Sequence, residues 1–407
     1  MRWLEVKYSN PLQGSIKIPG SKNSSLGLLA ACCLSDGPVF LHNVPDIRDI
    51  KVACDIGRDI GMDIKRNGDC LIVDPRSIHS SYIDPQKSAA FRTAYYFIGS
   101  LIAKHKKVCV GYPGGDNIGP RPIDQHIKGL RALGVHFTFH DHYYIAEASS
   151  LTGTDIYFDV VTSGATINVM LAAVLAKGKT VLYNAARDPE IVDIAILLNK
   201  MGARIYGAGT NTIRIIGVSQ LGGCTHSVIP DRLIAGGFLV RAGVTGGTVT
   251  VEDVIPEHLE SCMEKLSEIG VHIHKTANSI TASGNAPLKG TIIKTGMYPA
   301  FPSDLQQPFT TLLLKAIGNS TITERIFPQR FDHCIQLNRM GANITLQDGT
   351  AYIKGNAHLF GSWVHATDIR AGTALILAGL IAENTTYITG LEHIERGYEN
   401  VVKDFSS

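Results

Sequence analysis

The sequence predicts a mixed α/β fold made of six related repeats of about 70 residues, grouped as two lobes of three repeats. Glycines recur at positions 61, 134, 202, 270 and 341, with spacings of 73, 68, 68 and 71 residues. A helical pattern precedes each glycine, an alternating strand pattern follows it, and a small-residue-rich helix lies about halfway through each period. Solenoid repeats run only ~20–50 residues, so globular lobes are favoured over a solenoid. Generic alternation of helices and strands is the alternative explanation of the spacing.

Each recurring glycine is predicted to end a helix. The helix before Gly202, for example, has apolar residues at helical spacing over residues 191–198. Glycine adopts the left-handed backbone conformation without steric cost, so it stops a helix and turns the chain into a strand.

The small-residue-rich helices complete the repeat, which reads strand–helix–strand–helix–strand–strand. They are predicted over residues 25–34, 91–103, 165–176, 233–243, 309–317 and 371–382. A sixth glycine would fall at about position 411, beyond Ser407, so the last repeat is expected to lack its closing hairpin.

Composition indicates a chain with a large buried core. Of 407 residues, 44% are hydrophobic and 18% are charged, which excludes a disordered chain. Lys and Arg (38) nearly balance Asp and Glu (36), so neither nucleic acid nor an anionic membrane is an expected partner. The longest uncharged apolar run, residues 372–382, is shorter than the ~20 residues that span a bilayer.

The first residues and the cysteines predict a cytoplasmic protein. Residues 1–7 carry charges where a signal peptide has an apolar stretch. The eight cysteines form no Cys-x-x-Cys pair, and Cys32 and Cys33 lie in an apolar helical pattern. Buried free thiols in a reducing compartment are therefore expected.

The segment Gly20-Ser21-Lys22-Asn23 opens a predicted helix. Serine and asparagine are good helix caps, and the amino terminus of a helix attracts anions. Lys22 is therefore a candidate for holding a phosphate or a carboxylate. The alternative is a solvated lysine beside the cap.

Residues 112–122, Tyr-Pro-Gly-Gly-Asp-Asn-Ile-Gly-Pro-Arg-Pro, predict a mobile exposed loop. Asp116 lies at its tip and Arg121 at its base. Such a loop suits a lid that closes on an anionic substrate and delivers a proton donor. The alternative is an ordinary surface turn.

Asp304 and three arginines are further candidates. Asp304 lies in a turn ahead of a helix, where it either caps the helix or acts as a base. Arg330, Arg370 and Arg396 each lie near a junction of repeats. If these junctions converge, the arginines suit a substrate with phosphate and carboxylate groups; taken singly, each is a surface salt-bridge partner.

No metal site is expected. His140 and His142 lie on one face of a predicted strand, and His272 and His274 lie on one face of another. No third ligand stands at a suitable spacing from either pair.

The chain resembles the enolpyruvyl transferases over almost its full length. The segments that carry the resemblance are 20–23, 113–122, 184–193, 230–232, 301–304, 366–370 and 395–398. The resemblance implies two inside-out α/β barrels. Lobe I would join residues 1–20 to 230–407, with a truncated last repeat, and lobe II would comprise residues 21–229 with the loop 112–122.

The resemblance also implies a reaction, the transfer of the carboxyvinyl group of phosphoenolpyruvate to the 3′-hydroxyl of UDP-N-acetylglucosamine, which opens peptidoglycan synthesis and releases phosphate. It implies no metal or organic cofactor. Asp116 would be the acid and Asp304 the base. The ligands implied for phosphoenolpyruvate are Lys22, Arg121 and Arg396, with Arg370 close by. The residues implied at the sugar-nucleotide site are Asn23, Arg92, Arg121, Pro122, Ile123, Asp124, Gln125, Val160, Val161, Thr162, Ser163, Asp304 and Ile326.

Three features depart from the family pattern. Asp116 stands where most members carry cysteine, Val160 stands where lysine is usual, and the last repeat lacks its hairpin. Two alternatives therefore stay open. One is transfer to another uridine nucleotide in specialised metabolism, and the other is a catalytically silent paralogue that binds the nucleotide.

Overall fold

The computed structural model describes residues 2–90, 92, 94–114, 118–119 and 121–406. Contacts divide the chain into two compact units. Unit 1 contains the described residues of 1–18, 116–120 and 230–407, and unit 2 contains those of 19–115 and 121–229. No helix among the described residues is long and apolar enough to cross a membrane.

The first half of the chain contains two leading strands and three repeats. The leading strands are β1 (Leu4–Val6) and β2 (Gln13–Lys17). The first repeat continues with α1 (Lys22–Cys32), β3 (Val39–His42), α2 (Arg48–Ile60), β4 (Asp63–Asn67) and β5 (Cys70–Asp74). The second contains α3 (Pro85–Ala90), α4 (Ala94–His105), β6 (Lys107–Gly111), α5 (Asp124–Ala132), β7 (His136–Phe139) and β8 (Tyr143–Glu147). The third contains β9 (Asp155–Tyr157), α6 (Ser163–Ala173), β10 (Lys179–Tyr183), α7 (Pro189–Lys200), β11 (Arg204–Tyr206) and β12 (Thr212–Ile216).

The second half repeats this order. The fourth repeat contains β13 (Thr225–Ser227), α8 (Arg232–Thr245), β14 (Thr248–Glu252), α9 (Glu260–Ile269), β15 (His272–Lys275) and β16 (Ser279–Ser283). The fifth contains β17 (Ile292–Lys294), α10 (Gln306–Leu314), β18 (Asn319–Thr323), α11 (Asp332–Arg339), β19 (Ile344–Gln347) and β20 (Thr350–Lys354). The sixth contains β21 (Trp363–His365), α12 (Ile369–Gly379), β22 (Thr386–Thr389), α13 (Leu391–Ile394) and α14 (Val401–Ser406).

The strands form sheets of three or four strands, one sheet for each repeat. In the third repeat β9 is parallel to β10, β10 is antiparallel to β12, and β12 is antiparallel to β11. The fifth repeat has the same pairing among β17, β18, β20 and β19. The order of the elements confirms the predicted repeat, and the structure adds the direction of each strand pair.

The first and fourth repeats exchange their first strands. β2 precedes α1 but pairs in parallel with β14, whereas β13 precedes α8 but pairs in parallel with β3. Each of these sheets therefore receives its first strand from a part of the chain more than 180 residues away in sequence.

β1 adds a strand to the sheet of the sixth repeat. It pairs antiparallel with β22, from Leu4 opposite Ile388 to Val6 opposite Thr386. β20 has the same place beside β18 in the fifth repeat. A strand from the other end of the chain thus takes one of the two positions that a closing hairpin would fill, and the sheet has three strands where that of the fifth repeat has four.

The small-residue-rich helices form the interior of each unit. In unit 1, α8, α10 and α12 pack against one another, and in unit 2, α4 packs against α1 and α6. Every residue of α12 is buried, while the sheet strands alternate between buried and more exposed positions, as β14 does. Helices inside and strands outside match the predicted fold class.

The recurring glycines act as predicted. Gly61, Gly134, Gly202, Gly270 and Gly341 all have positive φ, between 99° and 111°, where each helix turns into a strand. The cysteines also match the prediction, because all eight are free. Cys32 and Cys33 are buried, and burial raises the pKa of Cys33 to about 12.

The predicted boundaries of the interior helices are less accurate. α1 begins at Lys22 rather than at residue 25, and α12 begins at Ile369 rather than at residue 371. The second predicted helix, 91–103, corresponds to α4, which begins at Ala94. An apolar pattern does not register a polar first turn, and the first turns of α1 and α12 carry Lys22 and Arg370.

Candidate active site

Asp304 lies in a 3-10 turn, Ser303–Leu305, directly before α10. Its carboxylate accepts hydrogen bonds from Arg330 Nη1 at 2.6 Å and from Arg370 Nε at 3.3 Å. The Asp304 side chain is 32% exposed, whereas both arginine side chains are at most 7% exposed. Among the described residues no side chain caps α10, so the helix-cap alternative for Asp304 is wrong. A partly exposed carboxylate held by two buried guanidinium groups is suitably placed to accept a proton.

Asp368 is the second carboxylate bound to Arg330. It caps α12, where Oδ1 accepts the N–H groups of Arg370 at 2.8 Å and Ala371 at 3.3 Å, and it accepts Arg330 Nη2 at 3.2 Å. Burial raises the pKa of Asp368, but the Arg330 charge and the two N–H groups outweigh burial and hold the pKa below its ordinary value. When its amide is oriented with the oxygen toward Arg330, Gln307 accepts Arg330 Nε at 3.0 Å.

Asp231 contributes a third carboxylate to this cluster. It is buried and caps α8, accepting the N–H groups of Leu233 at 2.9 Å and Ile234 at 3.0 Å. Burial lowers the pKa of Arg370, but negative charge from Asp304 and Asp231 contributes to a net increase. Sequence reasoning assigned no role to Asp231 or Asp368. The available signal was an aspartate directly before a small-residue-rich helix, which is typical of a helix cap.

Lys22 is the first residue of α1, whose cap is Ser21. Ser21 Oγ accepts the N–H of Ser24 at 3.3 Å. Lys22 Nζ lies 3.3 Å from Asp49 Oδ2, and the two side chains are 17% and 4% exposed. The alternative of a solvated surface lysine is therefore wrong. The neighbouring Asn23 is half-buried.

A buried polar cluster supports the first turn of α1. Asp193, on α7, accepts the Ser24 hydroxyl and lies with Oδ1 2.8 Å from His226 Nε2. Lys200 Nζ lies 3.3 Å from His226 Nδ1. Asp193, Ser24 and His226 are each at most 4% exposed. Sequence reasoning missed this cluster, because its members come from three separate elements and show no local spacing.

The residues implied at the sugar-nucleotide site come together in part within unit 2. Both terminal nitrogens of Arg92 lie 3.4 Å from the carbonyl oxygen of Arg121. The Arg92 guanidinium lies 5.8 Å from the centre of the Tyr95 ring. Burial lowers the pKa of Arg92. Pro122 and Ile123 follow Arg121 and lead into α5.

Gln125 connects the segment 121–125 to the neighbourhood of the second implied segment, 160–163. Its side-chain nitrogen donates to Asp124 at 2.7 Å and to Asp159 at 3.1 Å, and its oxygen accepts the N–H of Asp159 at 2.9 Å. Asp159 directly precedes Val160, which is 57% exposed. The structure thus brings residues 121–125 beside residues 159–160.

The second implied segment, residues 160–163, ends at the start of α6. Val161 precedes Thr162, which is the residue at the helix cap position, and Ser163 is the first helical residue. Ser163 Oγ donates to Asp188 at 2.8 Å. Polar groups at a helix amino terminus suit an anionic or polar ligand.

Two further predicted residues, Ile326 and Arg396, lie in other parts of the chain. Ile326 follows β18, and its N–H donates to Glu324 Oε1 at 2.7 Å. Arg396 is half-buried between α13 and α14, and its N–H donates to the carbonyl oxygen of His393 at 3.3 Å. Asp116, the predicted acid, lies outside the described residues.

The described part of the chain contains no group of three or more histidine, cysteine, aspartate or glutamate side chains arranged to hold a metal ion. Lys22, Arg92 and Arg370 are basic side chains of the kind that binds negatively charged ligands. The fold defines a class, an α/β repeat protein with helices inside and strands outside. The chain belongs to the EPSP synthase (3-phosphoshikimate 1-carboxyvinyltransferase) family, whose model matches residues 6–405.

Curated relatives match almost the whole chain. It is 47% identical over 403 residues to UDP-N-acetylglucosamine 1-carboxyvinyltransferase 2 of Bacillus cereus, covering 99% of this chain and 94% of that protein. It is 46% identical over 404 residues to the protein of the same name from Listeria monocytogenes, and the match covers 99% of this chain and 96% of that protein. The predicted membership of the enolpyruvyl transferases is confirmed.

Solved structures share the fold. The enolpyruvyl transferase NikO from Streptomyces tendae matches with a TM-score of 0.91 at 23% identity, covering 99% of this chain and 96% of that one. EPSP synthase from Acinetobacter baumannii matches with a TM-score of 0.76 at 18% identity, covering 99% and 97%. At these identities the likeness concerns the fold alone.

Proposed function

We propose that this protein transfers the carboxyvinyl group of phosphoenolpyruvate to the 3′-hydroxyl of UDP-N-acetylglucosamine and releases phosphate. This would be the first committed step of peptidoglycan synthesis, in the cytoplasm. The observation that carries the proposal is the full-length similarity to the carboxyvinyltransferases of Bacillus and Listeria.

Asp304 is the proposed base. It takes the proton of the sugar 3′-hydroxyl while that oxygen forms a bond to C2 of phosphoenolpyruvate. Its two hydrogen bonds to Arg330 and Arg370 stabilise the ionised carboxylate and fix its direction. Its partial exposure leaves it accessible to the hydroxyl.

Asp116 is the proposed acid. It gives a proton to the methylene carbon C3, which yields a tetrahedral intermediate. Return of a proton from C3 to the Asp116 carboxylate and cleavage of the bond from C2 to the phosphate oxygen then restore the double bond, and phosphate leaves with the proton held by Asp304. An aspartic acid with an ordinary pKa of ~3.9 is mostly ionised at neutral pH, so Asp116 needs desolvation to hold its proton.

Cationic side chains offset the charge of phosphoenolpyruvate. Lys22, Arg121 and Arg396 bind its phosphate and carboxylate in this proposal, with Arg370 beside the base. The sugar nucleotide is bound by Asn23, Arg92, the segments 121–125 and 160–163, Asp304 and Ile326.

Phosphate release tests the proposal. The protein is incubated with phosphoenolpyruvate and UDP-N-acetylglucosamine, and the product is identified by mass spectrometry as the enolpyruvyl ether. Release of phosphate that depends on the sugar nucleotide supports the proposal. Binding of both substrates without phosphate release would favour the catalytically silent paralogue.

The exposed Val160 favours a second candidate, transfer to a different uridine nucleotide. Lysine is usual at this position in the family, and valine lacks the positive charge that lysine would bring to the segment proposed to bind the nucleotide. The same assay with UDP-glucose, UDP-N-acetylgalactosamine and uridine monophosphate separates the candidates. A kcat/KM higher for one of these acceptors than for UDP-N-acetylglucosamine would support the second candidate.

A further inference from the structure

The turn after β18 differs from the equivalent turn in three other repeats. The residue that follows β3, β10 or β14 has a left-handed backbone. These residues are Asn43, Asn184 and Asp253, with φ between 54° and 58°. Glu324 follows β18 at the same place without a positive φ, and its own N–H donates to the carbonyl oxygen of Gly349 at 2.9 Å. The fifth repeat therefore uses another means of shaping this turn.

The Glu324 side chain shapes the turn. Oε1 accepts hydrogen bonds from Thr295 Oγ1 at 2.7 Å, Ile326 N at 2.7 Å and Phe327 N at 3.1 Å. Thr295 Oγ1 in turn accepts the N–H of Arg325 at 2.8 Å. Three consecutive backbone N–H groups thus converge on one carboxylate and one hydroxyl.

Burial shields this arrangement from water. Glu324 and Thr295 are each 2% exposed. Water therefore does not compete for the hydrogen bonds, and breaking them would leave buried N–H groups without acceptors. Pro328 lies over Gly349, where an added Cβ would approach the Pro328 Cβ to 3.3 Å, so the far side of the turn is packed as well.

The turn carries two side chains of the candidate active site. Ile326 is proposed to line the sugar-nucleotide site. Arg330 follows at the end of the turn, where its N–H donates to the carbonyl oxygen of Phe327 at 2.8 Å and its side chain holds Asp304. The placement of both side chains therefore depends on the backbone of residues 325–330.

We propose that Glu324 is a positioning residue for the sugar-nucleotide acceptor. It fixes residues 325–330 so that Ile326 contacts the nucleotide and Arg330 holds the base. The inference rests on the proposed function and deepens it. Because the same turn places Ile326 and Arg330, loss of the hydrogen bonds within the turn both weakens binding of the acceptor and misplaces the base Asp304.

The test compares Glu324→Ala, Glu324→Gln and Thr295→Ala with the wild type by steady-state kinetics. Glu324→Ala is expected to raise the KM for UDP-N-acetylglucosamine about 10-fold and to lower kcat by a similar factor, with the KM for phosphoenolpyruvate changed less than about 2-fold. Glu324→Gln keeps an acceptor oxygen and is expected to recover most of both losses. Thr295→Ala is expected to change the same parameters in the same direction.

Thr291→Ala is the matched control. Thr291 precedes β17 and donates its hydroxyl to Glu268, whereas Thr295 follows the same strand. The control therefore removes a threonine–glutamate bond at the other end of β17, and we expect the acceptor KM to stay within about 2-fold of wild type. Thermal unfolding of every variant monitors folding. If Glu324→Ala does not fold, Thr295→Ala and Thr295→Ser carry the comparison, because serine retains the hydroxyl.

An unchanged acceptor KM in the folded alanine variants, or an equal increase in Thr291→Ala, would overturn the inference. Calorimetric titration with UDP-N-acetylglucosamine alone distinguishes failure of this inference about Glu324 from failure of the proposed function. A wild type that binds the nucleotide without turnover overturns the proposed function, and the inference then depends on weaker binding by Glu324→Ala. A wild type that does not bind the nucleotide overturns both.

Discussion

Arg330 Nη1 donates a 2.6 Å hydrogen bond to Asp304 Oδ1, so the proposed base is joined to a buried guanidinium. The same guanidinium donates from Nη2 to Asp368 at 3.2 Å. One arginine therefore connects the carboxylate that would accept the substrate proton to the carboxylate that caps α12. Charges from Asp304 and Asp368 outweigh the effect of burial and raise the pKa of Arg330 above its ordinary value.

Arg330→Gln should impair both activity and stability. The substitution leaves the buried Asp368 without its cationic partner, a change that costs about 3–5 kcal/mol of unfolding free energy. It also releases Asp304, and a misplaced base lowers kcat by about 100-fold. Urea unfolding and phosphate release measure the two effects. Arg339→Gln, an exposed position on α11, is the control, and an Arg330 variant as active and stable as this control would contradict the prediction.

Asp116→Asn should abolish turnover while substrate binding is mostly retained. An amide keeps the size of the side chain but cannot supply the proton that C3 requires. We expect kcat to fall by at least about 100-fold, with the KM values changed far less. Single-turnover phosphate release measures the loss. Full activity of the amide variant would assign the proton donor to another group.

Epoxide inhibitors that alkylate the cysteine of most family members should not label this protein. A carboxylate is a weaker nucleophile than a thiolate. Intact-mass spectrometry after incubation with such an epoxide should show the unmodified mass, and Asp116→Cys should restore labelling. A covalent adduct at Asp116 in the wild type would refute this prediction.

Stability should decrease in acid because two histidines are buried in the neutral form. Burial lowers the pKa of His126 and of His333 to about 3. In the unfolded chain an imidazole titrates near ~6.5, so the unfolded state binds more protons as pH falls from about 6.5 to 3. The unfolding free energy should be largest above this range, decrease through it and level off below it.

His333→Gln should flatten that dependence, even though it lowers stability at pH 7. Denaturant unfolding at a series of pH values gives the slopes. His272→Gln, at an exposed position on β15, serves as the control because its ring is in solvent in both states. If the unfolding free energy changes with pH equally steeply in wild type and His333→Gln, the buried His333 ring does not contribute to the loss of stability in acid.

Val160→Lys should improve binding of the sugar nucleotide. Val160 is 57% exposed, so a lysine fits without repacking. An exposed ion pair is worth about 0–1 kcal/mol, which corresponds to a KM lowered by up to about 5-fold, and the gain should shrink at high salt. Kinetics at two ionic strengths measure it. Val402→Lys adds the same charge at another exposed valine and should leave the KM unchanged. The same gain in both variants would indicate a general effect of charge.

The repeat could be predicted from the sequence because its signals are local. A glycine that ends a helix acts on its immediate neighbours, and Gly270 has the expected positive φ. The lobes to which β2 and β13 belong were expected only through the resemblance, which joins residues 1–20 to 230–407. The strand pairings themselves, β2 with β14, β13 with β3 and β1 with β22, could not be predicted. Strands of three to five residues carry no pattern that specifies a distant partner.

The candidate site divides in the same way. Lys22, Asp304 and Arg370 stand in segments whose composition or resemblance marks them. Glu324 looks like an ordinary polar residue in sequence. Asp193 stands in a segment that carries the resemblance, but no role could be assigned to it, because the roles of both residues come from burial and from partners on other elements. The interaction of Asp304 with Arg330 likewise requires the folded chain.

The pairing of β1 with β22 bears on how the protein is made. A nascent chain leaving the ribosome holds its first strand without a partner until residues 386–389 have been synthesised. The sheet that contains β13 has all its strands once residue 227 has emerged. Unit 1 therefore finishes last, and its first strand waits for its partner during most of translation.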